Sequence, residues 1–397
     1  MTALYCFNPD CEMAVADGSP YYTPPANIRR MSEELAYLPV WMGGGEEAVL
    51  VSELPDPAFL QMNRELFGVD PQLALWEAYC PDPAFRPVPW GWSPRMDYLF
   101  QTACWKEEYR ELMSRLTARA CLERVYRLGG ERLPGLLPEV CRTLEAVRQA
   151  ACRGAVVVKA PWSSSGKGVL RAGPGVLLGK EAEWVSGILR RQGYVMVEKR
   201  LDKVCDLAGE FVLEDGRCRF VAWSLFTTGS RGEYKGNFLG RQSRIEEYLS
   251  RYAELSVWAE LKERVADALR VLIASRYEGV LGVDMMVYKD DKGKYNIQPC
   301  VEINLRHTMG YLAHRFSDRF VAEQSSGRFT LDFFAGEGEA LQRHRQNSRE
   351  FPLKVVSGKI VSGYHALTPV NKNTGFMASV RLVAGEGSMH DFEDQFS

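Results

Sequence analysis

VVVKAPWSSSGKGV, residues 156–169, is the stretch on which the architecture turns. The β-branched run Val156 to Val158 predicts a short strand that delivers Lys159 at its end. Small residues follow at once: Ser163, Ser164, Ser165, Gly166 and Gly168, with Lys167 between the glycines. Small side chains let backbone N–H groups approach phosphate oxygens, and lysine adds a point charge. The stretch is not a Walker A loop: Gly168 stands where Ser or Thr is required, and Pro161 where Gly is required. It also lacks the third glycine of a dinucleotide fingerprint. An ordinary turn ahead of a helix would use the same residues, so a phosphate site needs support from elsewhere in the chain.

CVEIN, residues 300–304, supplies it. Alternate side chains of a strand share a face, so Glu302 and Asn304 point the same way, about 7 Å apart. Arg306 joins them if the extended path continues. One strand earlier, Asp284 stands alone in the apolar run VLGVDMMVY, residues 280–288. A carboxylate inside a buried strand is costly unless paired or metal-bound. Asp284, Glu302 and Asn304 make a hard oxygen set of the kind Mg2+ uses beside substrate phosphates. A solvated sheet face or a structural Asp–Arg pair is the competing reading. A third run, VMVEKRLDK at 195–203, is a hydrophobic strand ending in Glu198. Such an edge offers backbone groups to a purine and a carboxylate to its amino group or ribose, although an exposed Glu-Lys-Arg run is the commoner use.

The chain has 397 residues, 46% hydrophobic and 25% charged, with a formal charge of −2. That length predicts two or three domains, and the charge gives no general reason to expect nucleic acid as a partner. No run approaches the ~20 apolar residues of a membrane span. The N-terminus MTALYCFNPDCEMAVADG has no basic region and an interrupted apolar run, so it does not read as a signal peptide. Ten Cys are scattered without a C-x-x-C, and His number five. A cytoplasmic protein with reduced thiols and no zinc is expected.

Along the chain, strands are expected at Leu4–Phe7 and Ala48–Ser52, with helices at Asn27–Leu38 and Pro57–Leu66, giving a small α/β unit. Pro87 to Pro94 reads as a boundary loop. Helical pattern then runs from Ser93 to about Arg127, and a further helix is expected over Leu137–Ala151. After the strand at Ala155–Lys159 come a helix at Glu181–Gln192, a strand at Tyr194–Lys199 and a hairpin turning at Glu214-Asp215-Gly216. One long helix is expected over Ile245–Arg276, strands at Val280–Tyr288 and Tyr295–Asn304, and two more at Lys354–Ala366 and Met377–Val383.

The order of the three signals within one α+β segment resembles the ATP-grasp superfamily, over roughly residues 110–320. The 156–169 loop resembles its glycine-rich loop, with Lys159 in the place of the strand lysine that contacts the α- and β-phosphates. VEKRL resembles the adenine hinge of the D-alanine:D-alanine ligases, with Glu198 as hinge carboxylate and Lys199 and Leu201 beside it. Asp284, Glu302 and Asn304 fall on the family's metal positions. The resemblance implies an α+β ATP-grasp fold with an α/β N-terminal domain, ATP lying between two subdomains. The implied units are residues 1–105 on the substrate side, 106–200 with the phosphate loop, 201–330 with the metal site, and 331–397 completing or flanking them. Three serines stand where many members have glycine. Asp206 or Glu210 is left for the ribose. Gly282 replaces an arginine that many ligases carry, while Arg306 resembles a residue that faces the acyl phosphate in other branches. Lys106 is a candidate for an upstream phosphate lysine. LFTTGSRGEYKGNFLGR, residues 225–241, lies where related ligases carry a mobile loop over the γ-phosphate, which makes Lys235 and Arg241 candidates for transition-state charge.

By this resemblance, ATP phosphorylates a carboxylate and an amine displaces phosphate, with two Mg2+ (or Mn2+) neutralising charge. Small-molecule acid and amine partners are implied, without nucleic acid or membrane; the oligomeric state is open. A small-molecule kinase and a non-catalytic nucleotide-binding module are the alternatives. His307 and His314 would line the acceptor site or simply pack, and the backbone of His307-Thr308-Met309-Gly310 would face the tetrahedral intermediate. Asn8, Asp10, Glu12, Tyr21, Tyr22 and Arg29 are the polar residues of the N-terminal stretch available to a substrate, or to a surface turn.

Overall fold

A computed structural model describes residues 1–43, 47–130, 136–163, 168–175, 177–229 and 232–385. Three sheets organise the chain. The first is parallel, β3-β2-β1-β4, from β1 (Thr2–Cys6), β2 (Ala48–Val51), β3 (Gln72–Leu75) and β4 (Phe85–Pro89). The second is antiparallel, β5-β8-β6-β7, from β5 (Glu139–Cys141), β6 (Val156–Lys159), β7 (Val169–Ala172) and β8 (Val195–Lys199). The third has nine strands. It comprises β9 (Asp202–Glu214), β10 (Arg217–Thr228), β11 (Tyr234–Leu239), β12 (Gly279–Lys289), β13 (Tyr295–Asn304), β14 (Ser325–Phe333), β15 (Lys354–Val356), β16 (Lys359–Ala366) and β17 (Phe376–Ala384). Their order is β13-β12-β9-β10-β11-β14-β17-β16-β15. The helices are α1 (Cys11–Asp17), α2 (Ala26–Glu34), α3 (Pro57–Phe67), α4 (Pro94–Phe100), α5 (Glu108–Leu112), α6 (Arg115–Leu128), α7 (Leu144–Cys152), α8 (Lys180–Gln192), α9 (Gln242–Leu249), α10 (Leu255–Leu272), α11 (Met309–Phe320) and α12 (Glu339–Glu350). Among the described residues no helix is long and apolar enough to cross a membrane.

Period-2 alternation decides which face of the large sheet becomes core. Leu207, Phe211, Leu281, Val283, Met285 and Ile303 point to one face and are buried with α6, α9 and α10. The residues between them, including Asp206, Glu210, Asp284 and Glu302, therefore face the other side. There α11 packs Leu312, Phe316 and Phe320 against Leu239, Phe329 and Val380. Trp41 of the N-terminal unit joins that second core, edge-on to Phe316 at 5.6 Å, and its indole N–H donates to Leu367 O at 2.7 Å. The N-terminal unit is thus docked over one half of this face, and the β9–β12–β13 half keeps its polar groups.

Several expectations give way to non-local pairing. Leu137–Ala151 is not one helix: Glu139–Cys141 is taken up as an edge strand beside β8, and Thr143 Oγ1 then caps α7 by accepting from Ala146 N at 3.2 Å. The 245–276 helix is two, and Trp258 Nε1 donates to Leu249 O at 3.1 Å, satisfying a terminal carbonyl of α9. Pro87 to Pro89 belong to β4, an edge strand, where a missing N–H is tolerated. Residues 234–239 are β11, an inner strand, rather than part of a loop. Although its sequence lies before the small sheet, α6 packs by its apolar side beneath the large one.

Candidate active site

The acids meet through strand register. Asp284 stands directly opposite Glu302, and Gly282 opposite Asn304. Just beyond the acids the register shifts, so that Pro299–Val301 of β13 face only Met285 of β12. Such a bulge re-aims side chains at a strand end. Burial first, and then the charge of Glu302, push the Asp284 carboxyl upward; Arg306 and a hydrogen bond with Asn304 offset part of this. A cation between the two acids opposes both effects. Among the described residues no three His, Cys, Asp or Glu side chains form a metal-holding group. The set is two carboxylates and one amide oxygen, which fits Mg2+, because that ion keeps water and phosphate oxygens in its remaining positions.

Cations converge on these acids from both other sheets' surroundings. Arg115, the first residue of α6 and only 7% exposed, sends Nη2 to Glu302 Oε1 at 2.9 Å and to Ser163 Oγ at 3.1 Å. Its Nε donates to Ala160 O at 3.0 Å, and its Nη1 is buried with no hydrogen-bond partner among the described residues. Arg306 sends Nη2 to Asn304 Oδ1 at 3.0 Å and Nε to Glu12 Oε1 at 3.0 Å. Burial works against the Arg306 charge, but Glu12, Cys11 and Asp284 together outweigh it and the guanidinium pKa goes up. On the second sheet, Lys159 is buried and its Nζ lies 2.7 Å from Glu198 Oε2. The pair is diagonal on one face, because Glu198 stands opposite Val157. The loop after Lys159 is closed by Ala160 N donating to Gly168 O at 2.8 Å. A Cβ on Gly168 would come within 2.1 Å of Ser163 Cβ, so only glycine fits.

Not every expected residue joins this group. Ser164, Ser165, Gly166 and Lys167 lie outside the described residues. Lys199 is exposed and reaches Asp291 in the β12–β13 turn at 3.4 Å, while Leu201 is half-buried between β8 and β9. Asp206 remains open enough to meet a ribose: its carboxylate accepts from Thr228 Oγ1 at 2.9 Å and pairs with Lys203. Glu210 does not, being 1% exposed beneath the start of α11. Lys235, on β11, pairs with Glu233 at 3.3 Å, with β9 and β10 between its strand and that of Asp284. Arg241 forms an exposed pair with Glu323 at 2.7 Å, and the adjoining Gly240 N–H bonds Ser317 Oγ on the C-terminal half of α11. It therefore sits away from the acids. Lys106 is exposed, and Arg115 holds the buried position expected of an upstream cation.

His307 packs half-buried against Trp90 at 5.8 Å, and desolvation lowers its pKa to about 4, leaving a neutral packing residue. Its backbone N–H is taken by Trp90 O at 2.8 Å. His314 pairs with Asp318 at 3.4 Å. Of the N-terminal polar residues only Glu12 reaches the site. Asn8 bonds Gly91, Asp10 meets Arg95 at 3.4 Å, Tyr21 is exposed beside Tyr98, and Arg29 lies 4.0 Å from Glu33. Tyr22 keeps a buried hydroxyl without a partner. Arg115 was invisible in the sequence, since an arginine opening an amphipathic helix is ordinary there.

Glu210 holds the corner that follows the acidic strand. Thr308 Oγ1 donates to Glu210 Oε2 at 2.7 Å and accepts from Tyr311 N at 2.9 Å, so the acid orients the residue that caps α11. Burial pushes the Glu210 carboxyl from the ordinary 4.5 up to about 8. Between those values the unfolded chain loses its proton and the folded one keeps it, so this group's contribution falls as pH rises from about 4.5 to 8. Glu210→Gln is therefore expected to gain stability relative to the parent across that window in urea melts; parallel pH profiles would contradict it. Gly310→Ala is expected to destabilise by about 1–3 kcal/mol. The added Cβ would lie 2.1 Å from Glu210 Oε1 and 2.4 Å from Ser224 Oγ. On an open helix the same change stabilises, so a raised melting temperature would contradict this packing.

Neither a family model nor a curated protein sequence matches the chain. Solved structures do. N5-carboxyaminoimidazole synthetase from Staphylococcus aureus, complexed with ADP, is similar over 100% of this chain and 96% of its own, at a TM-score of 0.51 and 12% identity. Biotin carboxylase from Campylobacter jejuni, in a β-γ-ATP complex, is similar over 99% of this chain and 89% of its own, at a TM-score of 0.51 and 12% identity. With a mixed architecture of three sheets similar to both, the chain has the ATP-grasp fold.

Proposed function

We propose that the cleft binds Mg-ATP and that the protein is an ATP-dependent ligase, joining a carboxylate to an amine through an acyl phosphate. The observation that carries this reading is Arg115, buried against the loop that follows Lys159 and paired with Glu302, which stands opposite Asp284. Buried cations with a spare donor suit a polyphosphate, and the oxygen set suits the metal that accompanies it. The similar structures described with ADP and with β-γ-ATP support a nucleotide in this place. In this reading Lys159 leaves Glu198 for a phosphate, and Glu198 turns to the adenine or ribose. Asp206 takes the ribose. Asp284, Glu302 and Asn304 hold Mg2+, which supplies charge neutralisation as the phosphoryl group moves. Arg306, held by Glu12, presents a fixed guanidinium to the acyl phosphate, and no protein nucleophile is required.

With a panel of carboxylates and hydroxylamine in place of the amine, the ligase reading expects ADP, free phosphate and a hydroxamate. A phosphorylated product without free phosphate would replace it with a kinase. ATP affinity with no turnover on any acid would leave only a nucleotide-binding module.

A further inference from the structure

We propose that Arg115 and Arg306 keep the metal site closed until nucleotide arrives, so that a divalent cation enters only together with ATP. The proposal rests on the reading of Asp284, Glu302 and Asn304 as the metal ligands. Two of those three donors are already covered. Glu302 Oε1 forms an ion pair with Arg115 Nη2 at 2.9 Å, and Asn304 Oδ1 accepts from Arg306 Nη2 at 3.0 Å. A cation using those oxygens competes with the guanidinium groups for them, and it would also face two guanidinium charges at close range. Arginine does not deprotonate in proteins, so the guard is permanent at any working pH.

Both guanidinium groups are anchored from behind, and each can release its metal ligand, Glu302 or Asn304, without losing its other bonds. Arg115 retains Ala160 O through Nε and Ser163 Oγ through Nη2, and its backbone N–H bonds Pro161 O at 3.2 Å. Arg306 retains Glu12 Oε1 and His307 O. The buried Nη1 of Arg115 has no partner, an unmet donor beside the serine loop. A phosphate oxygen is the acceptor it lacks, and a polyanion there competes with Glu302 for the same guanidinium. Once the phosphate takes Arg115, Glu302 is free for the metal. Nucleotide and metal binding are then positively coupled, and linkage makes the coupling reciprocal.

Mn2+ titrations of the full chain, followed by water-proton relaxation with and without a β,γ-methylene analogue of ATP and corrected for the analogue alone, test this. The unliganded protein is expected to bind Mn2+ at least about tenfold more weakly than its analogue complex. Arg115→Gln is expected to bind Mn2+ without nucleotide at least about tenfold more tightly than the parent, and to lose the coupling. Arg306→Gln should show the same gain, and it carries the test if Arg115→Gln does not fold. No gain in the folded variants, or equal Mn2+ affinity of the parent with and without analogue, overturns the proposal. Glu302→Gln separates it from its premise: if Mn2+ binding in the analogue complex survives that change, the metal assignment itself fails. If that binding is lost while the arginine variants gain nothing, only the guard fails.

Discussion

Glu302→Gln is expected to lower Mg2+-dependent ADP release by about 10²–10³-fold, the cost of removing one preorganised group that stabilises transition-state charge. The substitution keeps an oxygen that can accept from Arg115 and removes the carboxylate charge, so the ion pair at 2.9 Å becomes a hydrogen bond from the guanidinium to an uncharged amide. The Glu302 side chain is also 27% exposed, which tempers the cost of leaving the guanidinium without a counter-charge. A folded, inactive protein is the outcome, read by circular dichroism alongside the turnover assay. Unchanged turnover in a folded variant would remove Glu302 from the metal site. The effect should exceed that of Asn304→Ala, because a carboxylate contributes charge as well as a donor.

Lys159→Ala is expected to weaken ATP binding by about 30-fold or more, roughly 2 kcal/mol, the lower end for truncating one member of a buried charge pair. Two losses combine. The phosphate loses its point charge, and Glu198, whose side chain is 14% exposed, is left without the cation at 2.7 Å. The second loss is separable. Adding Glu198→Gln to Lys159→Ala should restore thermal stability by removing the stranded carboxylate, while nucleotide affinity stays low. Unaltered nucleotide affinity in Lys159→Ala, by calorimetry, would take the strand lysine out of the phosphate site.

Lys159, Glu198, Asp284, Glu302 and Asn304 were legible because each depends on short-range pattern. A strand puts Glu302 and Asn304 on one face whatever surrounds it, and a lone acid in an apolar strand is conspicuous anywhere. Glu210 was legible only as an acid on the right face. Its depth beneath Thr308 and Gly310 comes from α11, which arrives from a hundred residues further along the chain, and that depth turns a ribose candidate into a structural acid. Lys235 and Arg241 were placed in a loop because Gly229, Gly232, Gly236 and Gly240 punctuate residues 225–241. Pairing with β10 on one side and β14 on the other made residues 234–239 an inner strand instead. At Gly236 a Cβ would meet Phe329 O at 2.1 Å, so this glycine serves close strand approach rather than mobility.

Residues 156–169 show the division most clearly. Lys159 at the end of a β-branched strand, followed by small residues, follows from local sterics and can be read without a fold. The cation that joins the loop to the acids cannot. Arg115 opens a helix that packs beneath the third sheet, yet its guanidinium bonds Ala160 and Ser163 after the second sheet's strand and Glu302 on the third. Glu12 comes from the first sheet's leading helix to hold Arg306. Periodicity and propensity act over a few residues, so they place side chains on faces. Which faces meet is set by burying apolar surface between elements far apart in the chain, and the charge pairs that close this site exist only once that burial is complete.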